Sequence, residues 1–278
     1  MEAEKVKKAG SSNLKRVSSA LIGFPLVALI VIIGNKYMIS VGLAIIAILS
    51  MHEYLHAVSK KANPIKWISY LSCALISLIS FVPQEQYGNM IFAAIPILLL
   101  MLFLQVIITG MKMNFNDLVY TFIGIIYIVF FIASMAMIRG LENGKILIWY
   151  VFWAGWATDV FAYSIGRRFG KHKFSEVSPK KSIEGCIAGT IGAVIVVLVY
   201  TYFINLYTNL EYSYLYISII GLILSIIGQI GDFAASAIKR YVDIKDYSNL
   251  IPGHGGMLDR IDSIMFIAPF AYMLLNFL

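Results

Sequence analysis

Long apolar stretches recur along the whole chain and constrain its fold more than any other feature. A helix needs about 17 to 25 apolar residues to cross a hydrocarbon core about 30 Å thick. Such stretches lie near residues 18–35, 37–57, 67–83, 90–110, 118–138, 146–166, 186–207, 213–232 and 261–278. Hydrophobic side chains make up 60% of the 278 residues and charged ones 13%, too few polar groups for a soluble globular domain. The sequence therefore predicts an all-α, polytopic integral membrane protein with about nine transmembrane helices.

The positive charges predict the orientation of these helices, because Lys and Arg concentrate on the cytoplasmic side of a membrane. If the N-terminus is cytoplasmic, the predicted crossings leave only Lys36, Arg139 and Lys145 of the 22 Lys and Arg on the far side. This distribution predicts a multi-pass protein of the cytoplasmic membrane whose long polar loops face the cytoplasm. The net charge of +7 follows from that topology, so we predict no nucleic-acid partner.

The domain organisation follows from the same pattern, since no repeat, low-complexity tract or soluble domain interrupts it. We predict one membrane-embedded domain over residues 1–278. Helices 1–5 occupy residues 1–140. Helices 6–9 occupy residues 141–278 together with the long cytoplasmic loops, where we expect the polar chemistry of the protein. Cys73 and Cys186 lie in or beside predicted spans without close spacing, so neither a disulfide framework nor a thiolate metal site is indicated.

Three acidic residues lie inside or at the ends of predicted spans: Glu53, Asp159 and Asp232. An ionisable group in a membrane helix costs several kcal/mol unless it is paired, hydrated or bound to a metal. Each acid alone is compatible with an ion pair to a nearby Lys or Arg. Their common position towards the cytoplasmic half, beside loops rich in basic residues and Gly, favours a functional site.

The segment of residues 236–262, with the sequence SAIKRYVDIKDYSNLIPGHGGMLDRID, is unusually polar for this chain. If the preceding helix continues, one face carries Asp232, Ser236, Lys239 and Arg240. The glycines downstream let backbone amides approach an anion closely. Asp259 and Asp262 open the last helix on one face. This pattern suits a polyphosphate bound with Mg²⁺, because hard cations take carboxylate and phosphate oxygens while Lys and Arg neutralise the remaining charge.

The order of polar residues in this segment resembles the signature of the phosphatidate cytidylyltransferases, or CDP-diacylglycerol synthases. Two further stretches resemble the same family, DVFAYSIGRRFG at residues 159–170 and SPKKSIEG at residues 178–185. The first 140 residues resemble it only in hydropathy. Family members commonly carry Glu directly before the first Ser of the signature, where this chain has Ala235. This chain therefore has no carboxylate at that position to take part in metal binding.

The resemblance implies the reaction of CTP with phosphatidate to give CDP-diacylglycerol and pyrophosphate, with Mg²⁺ as cofactor. A phosphate monoester has a second pKa near 6, so the lipid phosphate arrives ionised and needs no strong base. The enzyme must mainly hold two anions in line and neutralise their charge. The implied partners are CTP, phosphatidate and membrane lipids, and the family is compatible with a homodimer.

The resemblance also suggests a role for each polar residue. Asp232 and Asp259 are the leading metal ligands, with Asp159 as a further candidate. Asp246 and Asp262 would act as a further ligand, a partner of a ligand or a ribose contact. The other residues with a predicted catalytic role are Lys239, Arg240, His254 and Arg260. The predicted nucleotide-binding residues are Lys180, Lys181, Ser182, Ser236, Lys245, Asp246, Gly255 and Gly256.

Other functions are compatible with parts of the sequence. HEYLH at residues 52–56 matches the zinc-protease pattern H-E-x-x-H, but such a site needs a third ligand and no downstream acidic motif supplies one. We expect Glu53 instead to pair with a base on a neighbouring helix. A transporter would also contain buried acids, although transporters favour midplane sites and inverted repeats. The closest alternative is a CTP-dependent transferase acting on another lipid phosphate.

Overall fold

The computed structural model describes residues 28–110, 112–175, 178, 181–251 and 255–278. Within these ranges the protein is helical and has no named strand, which confirms the all-α prediction. The chain divides into two compact units. Unit 1 ends its first segment at Val129 and includes Val242–Ile261, and unit 2 comprises Phe130–Tyr241 and Asp262–Leu278. The single domain with a boundary near residue 140 stays a prediction.

Unit 1 contains α1 (Lys36–Val58), α2 (Lys66–Leu75) with the 3₁₀ turn Ile76–Phe81, α3 (Tyr87–Ile108) and α4 (Phe115–Gly124). Side chains set the helix starts. Asn35 accepts a hydrogen bond from the Met38 amide at 2.9 Å, and Asn114 forms a capping box with Asp117. These contacts satisfy amides that have no partner within the helix.

Helices α1 and α4 pack closely because Gly124 leaves room for Tyr54. A Cβ atom at Gly124 would lie within 3.0 Å of the Tyr54 ring, and the Tyr54 hydroxyl donates to the Tyr120 carbonyl at 3.0 Å. The α1–α2 connection is also tied to α4, since the Asn63 amide donates to the Asp117 carboxylate at 2.6 Å. These contacts hold the C-terminal end of α1, which carries Glu53.

Unit 2 contains α5 (Phe131–Gly140), α6 (Gly144–Phe169), α7 (Ile183–Tyr207), α8 (Tyr214–Tyr241) and most of α9 (Leu258–Leu275). A six-residue π-helix, Ile125–Phe130, joins α4 to α5 without a break. Helix α9 begins within the last segment of unit 1 and continues in unit 2.

Glycines allow close packing of α6, α7, α8 and α9. A Cβ at Gly185 or Gly189 of α7 would lie 2.8 Å from a carbonyl oxygen of α6. A Cβ at Gly228 of α8 would lie 2.8 Å from a side-chain carbon of Ile267 in α9. Small residues at such spacings let membrane helices approach closely. The Gly-x-x-x-Gly spacing on α7 is therefore a packing signal already visible in the sequence.

Six helices among the described residues are long and apolar enough to cross a membrane: Lys36–Val58, Gln84–Ile108, Phe115–Gly140, Gly144–Phe169, Ile183–Tyr207 and Tyr214–Tyr241. Lys66–Phe81 is a shorter apolar helix. Helix α9 contains three charged residues in its first turns, Asp259, Arg260 and Asp262. The membrane prediction is supported, whereas nine crossings and the orientation stay predictions.

Candidate active site

The C-terminal half of α8 carries polar side chains that sequence spacing assigned to one face. The helix continues without a break to Tyr241, as the predicted common face of Asp232, Ser236, Lys239 and Arg240 requires. Ala235, at the position of the common family Glu, is fully buried. A carboxylate at this position would have to be accommodated in the interior of unit 2.

An ion pair joins the basic loop before α7 to α8. The Lys181 ammonium contacts the Asp232 carboxylate, and both side chains are about a quarter exposed. The Lys181 Nζ atom also lies 4.3 Å from the ring centroid of Phe233, a distance at which the ring face attracts a cation. The structure thus brings together two residues that the sequence analysis assigned to nucleotide and metal binding.

Asp262 and Asp159 add further negative charge in unit 2. Asp262 is 7% exposed and interacts electrostatically with Asp232, Asp159 and Lys239. The Ser263 hydroxyl donates to the Asp159 carboxylate at 3.5 Å. We call Asp159, Asp232 and Asp262 the aspartate cluster. Carboxylates of α6 and α8 therefore repel Asp262 of α9, and the Lys181 and Lys239 ammonium groups lie close to the cluster.

The aspartate cluster can be tested for its fit to Mg²⁺. Among the residues described, no three His, Cys, Asp or Glu side chains form a group that could hold a metal ion. Mg²⁺, however, is usually held by one or two carboxylates, with phosphates and water as its other ligands. Mutually repelling carboxylates beside ammonium groups fit a cation that arrives with a polyphosphate. They do not form a closed metal cage.

In unit 1, Asp259 holds the glycine-rich loop that precedes α9. Its Oδ2 atom accepts hydrogen bonds from the backbone amides of Tyr247 at 2.8 Å and Gly256 at 3.0 Å. The residue is 8% exposed. Asp259 is predicted to be a metal ligand, and the structure shows that it also fastens two parts of the loop, a role that no sequence pattern indicated.

Glu53 also binds this loop, and its predicted partner was wrong. Its buried carboxylate accepts from the Ser248 hydroxyl at 2.5 Å and from the amides of Met257 at 2.9 Å and Leu258 at 2.8 Å. A base on a neighbouring helix was expected, but Glu53 instead satisfies backbone donors at the start of α9. We call Glu53 and Asp259 with these partners the loop clamp.

The loop clamp also explains Gly256. A Cβ atom at this position would lie 2.5 Å from the Glu53 Oε2 atom, so a larger residue would push the carboxylate away from its donors. Gly255 has φ +88°, a conformation that favours glycine. Close contact with Glu53 therefore requires glycine at position 256, and the backbone conformation favours glycine at position 255.

The geometry of HEYLH does not support the zinc-protease alternative. His52 and His56 are exposed, whereas Glu53 is buried in the loop clamp. The His52 Nδ1 atom lies 3.0 Å from the Tyr70 hydroxyl. The two imidazoles share a face, as the spacing predicts, but the acid that would act as base points elsewhere.

The remaining predicted residues lie in several environments. Ser182 accepts from the Gly185 amide at 3.1 Å and caps α7. Ser236 is half-buried on α8. The side chains exposed to solvent are Arg240, Lys245, Asp246 and Arg260. Lys180 and His254 lie outside the described residues.

Comparisons with known proteins identify the family of the chain. The profile of the cytidylyltransferase family matches residues 14–278, so the similarity extends into the N-terminal helices that the sequence analysis had linked to the family only by hydropathy. The phosphatidate cytidylyltransferase of Bacillus subtilis (strain 168) is 36% identical over 203 residues, covering 72% of this chain and 73% of that protein. The phosphatidate cytidylyltransferase of Staphylococcus haemolyticus is 33% identical over 237 residues, covering 83% and 87%. The resemblance is confirmed, and the chain belongs to the cytidylyltransferase family.

Proposed function

We propose that the protein is a phosphatidate cytidylyltransferase that transfers the cytidylyl group of CTP to phosphatidate. The observation that carries the proposal is the pairing of Lys181 with Asp232 beside the other two aspartates and Lys239, in a chain of this family. The arrangement supplies ammonium groups for phosphates and oxygen donors for a cation. The similar bacterial proteins carry the same functional name.

In the proposed reaction, a phosphate oxygen of phosphatidate attacks the α-phosphorus of CTP. The bond from that phosphorus to the bridging oxygen of the β-phosphate breaks, and pyrophosphate leaves with the bonding electrons. The lipid phosphate is mostly ionised near neutral pH, so no side chain must remove a proton. Lys181 and Lys239 would reduce the repulsion between the two anions and orient their phosphates.

The pairing of Lys181 with Asp232 has a consequence for binding. Each group neutralises the other in this structure, so a phosphate that binds Lys181 must compete with the Asp232 carboxylate. The proposed ligands for Mg²⁺ are Asp232 and Asp159, and when bound the ion would neutralise part of the triphosphate charge. For Asp259 we keep the proposed role of metal ligand beside its observed role in the loop clamp.

The topology is also part of the proposal. We propose nine crossings with a cytoplasmic N-terminus, in the cell membrane, so that the polar loops reach cytoplasmic CTP. The clustering of Lys and Arg on one side supports this orientation. The homodimer and the nucleotide contacts of Lys180 and His254 stay predictions.

The direct test is an assay of the purified protein in detergent with labelled CTP and phosphatidate. We expect CDP-diacylglycerol to form with Mg²⁺ and not with chelator. Asp232→Asn should lower turnover about 10²–10³-fold. Asp243→Asn, at an exposed aspartate that pairs with Lys61 at 3.7 Å, should leave turnover unchanged. A well-folded wild type that is silent on phosphatidate but turns over another lipid phosphate would overturn the proposed substrate.

A further inference from the structure

Unit 2 contains a cavity of about 750 Å³ between α7 and α8. Its walls are mostly apolar. The large apolar residues that line it are Phe174, Ile187, Ile191, Ile226, Ile230 and Phe233. Ligand pockets of 300–1,000 Å³, as a rough range, are common in proteins of known function, so the volume is large enough for a substantial part of a small molecule.

The cavity is open to the exposed surface of α7 and α8, two of the helices that are long and apolar enough to cross a membrane. Ile187, Ile191, Ile226 and Ile230 line it and are 45–57% exposed. Two of its polar side chains bond to each other, since the Gln229 Nε2 atom donates to the Thr190 hydroxyl at 3.0 Å. The surface left for a ligand is therefore apolar and can be entered from within a membrane.

The length of the cavity matches one leaflet of a membrane. Its wall on α8 runs from Ile226 to Ala237, which is about 16 Å at 1.5 Å per residue. Half of a hydrocarbon core about 30 Å thick is about 15 Å. An extended hydrocarbon chain from one leaflet would therefore fit along the groove.

One end of the cavity adjoins the aspartate cluster. Phe233 lines the cavity and carries the Lys181 ammonium 4.3 Å above its ring. Phe174 stacks on Phe233 with ring centroids 4.6 Å apart. A lipid with its phosphate near Lys181 would thus find an apolar channel beginning at the same aromatic residue.

We infer that this cavity holds one acyl chain of the phosphatidate and that its far end limits the chain length accepted. The inference rests on the proposed function and adds a subsite to it. It accounts for an apolar cavity with the Lys181 ammonium beside Phe233 at one end. CTP, which has no long apolar part, would leave this surface uncovered.

The test blocks the far half of the cavity and compares two chain lengths. The side chain of a helical residue leans towards the N-terminus of its own helix. On α8 this direction runs from Ile230 towards the far end, and on α7 it runs from Ile191, the lining residue of that helix farthest from Lys181, back into the cavity. Ile191→Trp and Ile230→Trp should therefore each fill the far half. Matched controls are Val199→Trp and Ile219→Trp, at exposed positions on the same helices that do not line the cavity. The substrates are dioleoyl and dioctanoyl phosphatidate in the same detergent.

We expect kcat/KM for dioleoyl phosphatidate to fall about tenfold or more in both blocking variants, since even one methylene in an apolar pocket is worth about tenfold. The value for dioctanoyl phosphatidate and the KM for CTP should stay near wild type, as should both controls. Equal losses on both lipids, or no loss on either, would overturn the inference. A wild type inactive on both lipids would overturn the proposed function itself.

Discussion

The aspartate cluster of unit 2 and the loop clamp of unit 1 use the same kind of side chain in different ways. In the cluster, Asp232 meets another side chain, Lys181, and both remain about a quarter exposed. In the clamp, the carboxylates of Glu53 and Asp259 are buried and bind mainly backbone amides. A side-chain ion pair near solvent can exchange partners with a substrate, whereas buried carboxylates bound to amides fix a backbone. The comparison predicts that cluster variants lose activity and that clamp variants lose stability first.

The largest effect should come from Asp232→Asn. This variant keeps the shape of the side chain but removes the charge that pairs with Lys181, and turnover should fall about 10²–10³-fold. The melting temperature should change little, because the lost pairing with Lys181 is offset by the relief of the repulsion between Asp232 and Asp262. Steady-state kinetics and thermal denaturation in detergent measure the two quantities. A large loss of stability with residual activity would show that Asp232 stabilises the fold and does not take part in the reaction.

Glu53→Ala should be the most destabilising clamp variant. It leaves the Ser248 hydroxyl and two amides without their acceptor, and each unsatisfied buried donor costs about 1–3 kcal/mol. We expect a clear fall in melting temperature, with Glu53→Gln closer to wild type because it keeps one acceptor oxygen. Glu85→Ala, at an exposed acid, is the control. An unchanged melting temperature in Glu53→Ala would contradict the clamp.

Lys181→Met should weaken the binding of the substrate phosphate groups. A hydrogen bond to a charged group is worth about 1.5–3 kcal/mol, so kcat/KM should fall about tenfold to a hundredfold. Lys171→Met, at an exposed lysine of the same loop, should behave like wild type. If both variants lose activity equally, the loop acts through its total charge and the ion pair has no special role.

Gly256→Ala tests the clamp from the backbone side. The added Cβ would lie 2.5 Å from the Glu53 carboxylate, and such overpacking costs about 1–3 kcal/mol. Gly42→Ala is the control, since nothing lies within 4 Å of a Cβ at that position. Thermal denaturation should show a loss only at Gly256, and equal losses at both sites would argue against the close approach.

The smallest effect should come from His56→Ala. His56 is exposed, and exposed substitutions usually change stability by less than about 0.5 kcal/mol. Activity with CTP and phosphatidate should remain within about twofold of wild type. Loss of activity in this variant, together with zinc bound to the purified wild-type protein, would support a metal site at HEYLH.

Much of this protein could be predicted from local patterns. Apolar stretches located the helices, and residues 236–262 pointed to the family. The continuing face of α8 was foreseen because the spacing of Asp232 and Lys239 is a property of one helix. The role of Glu53 could not be foreseen, since its partner Ser248 lies 195 residues away in the chain.

The sequence by itself determined that the chain is helical, apolar enough for a membrane and a member of a nucleotidyltransferase family. These properties depend on residue type and on spacing along one helix, which the chain carries before it folds. Only the tertiary structure decided which acid binds which donor. In the folded protein Glu53 and Asp259 accept hydrogen bonds from backbone amides, and Asp232 pairs with Lys181. A cavity forms between α7 and α8. Such outcomes depend on contacts between distant segments, and local periodicity does not encode them.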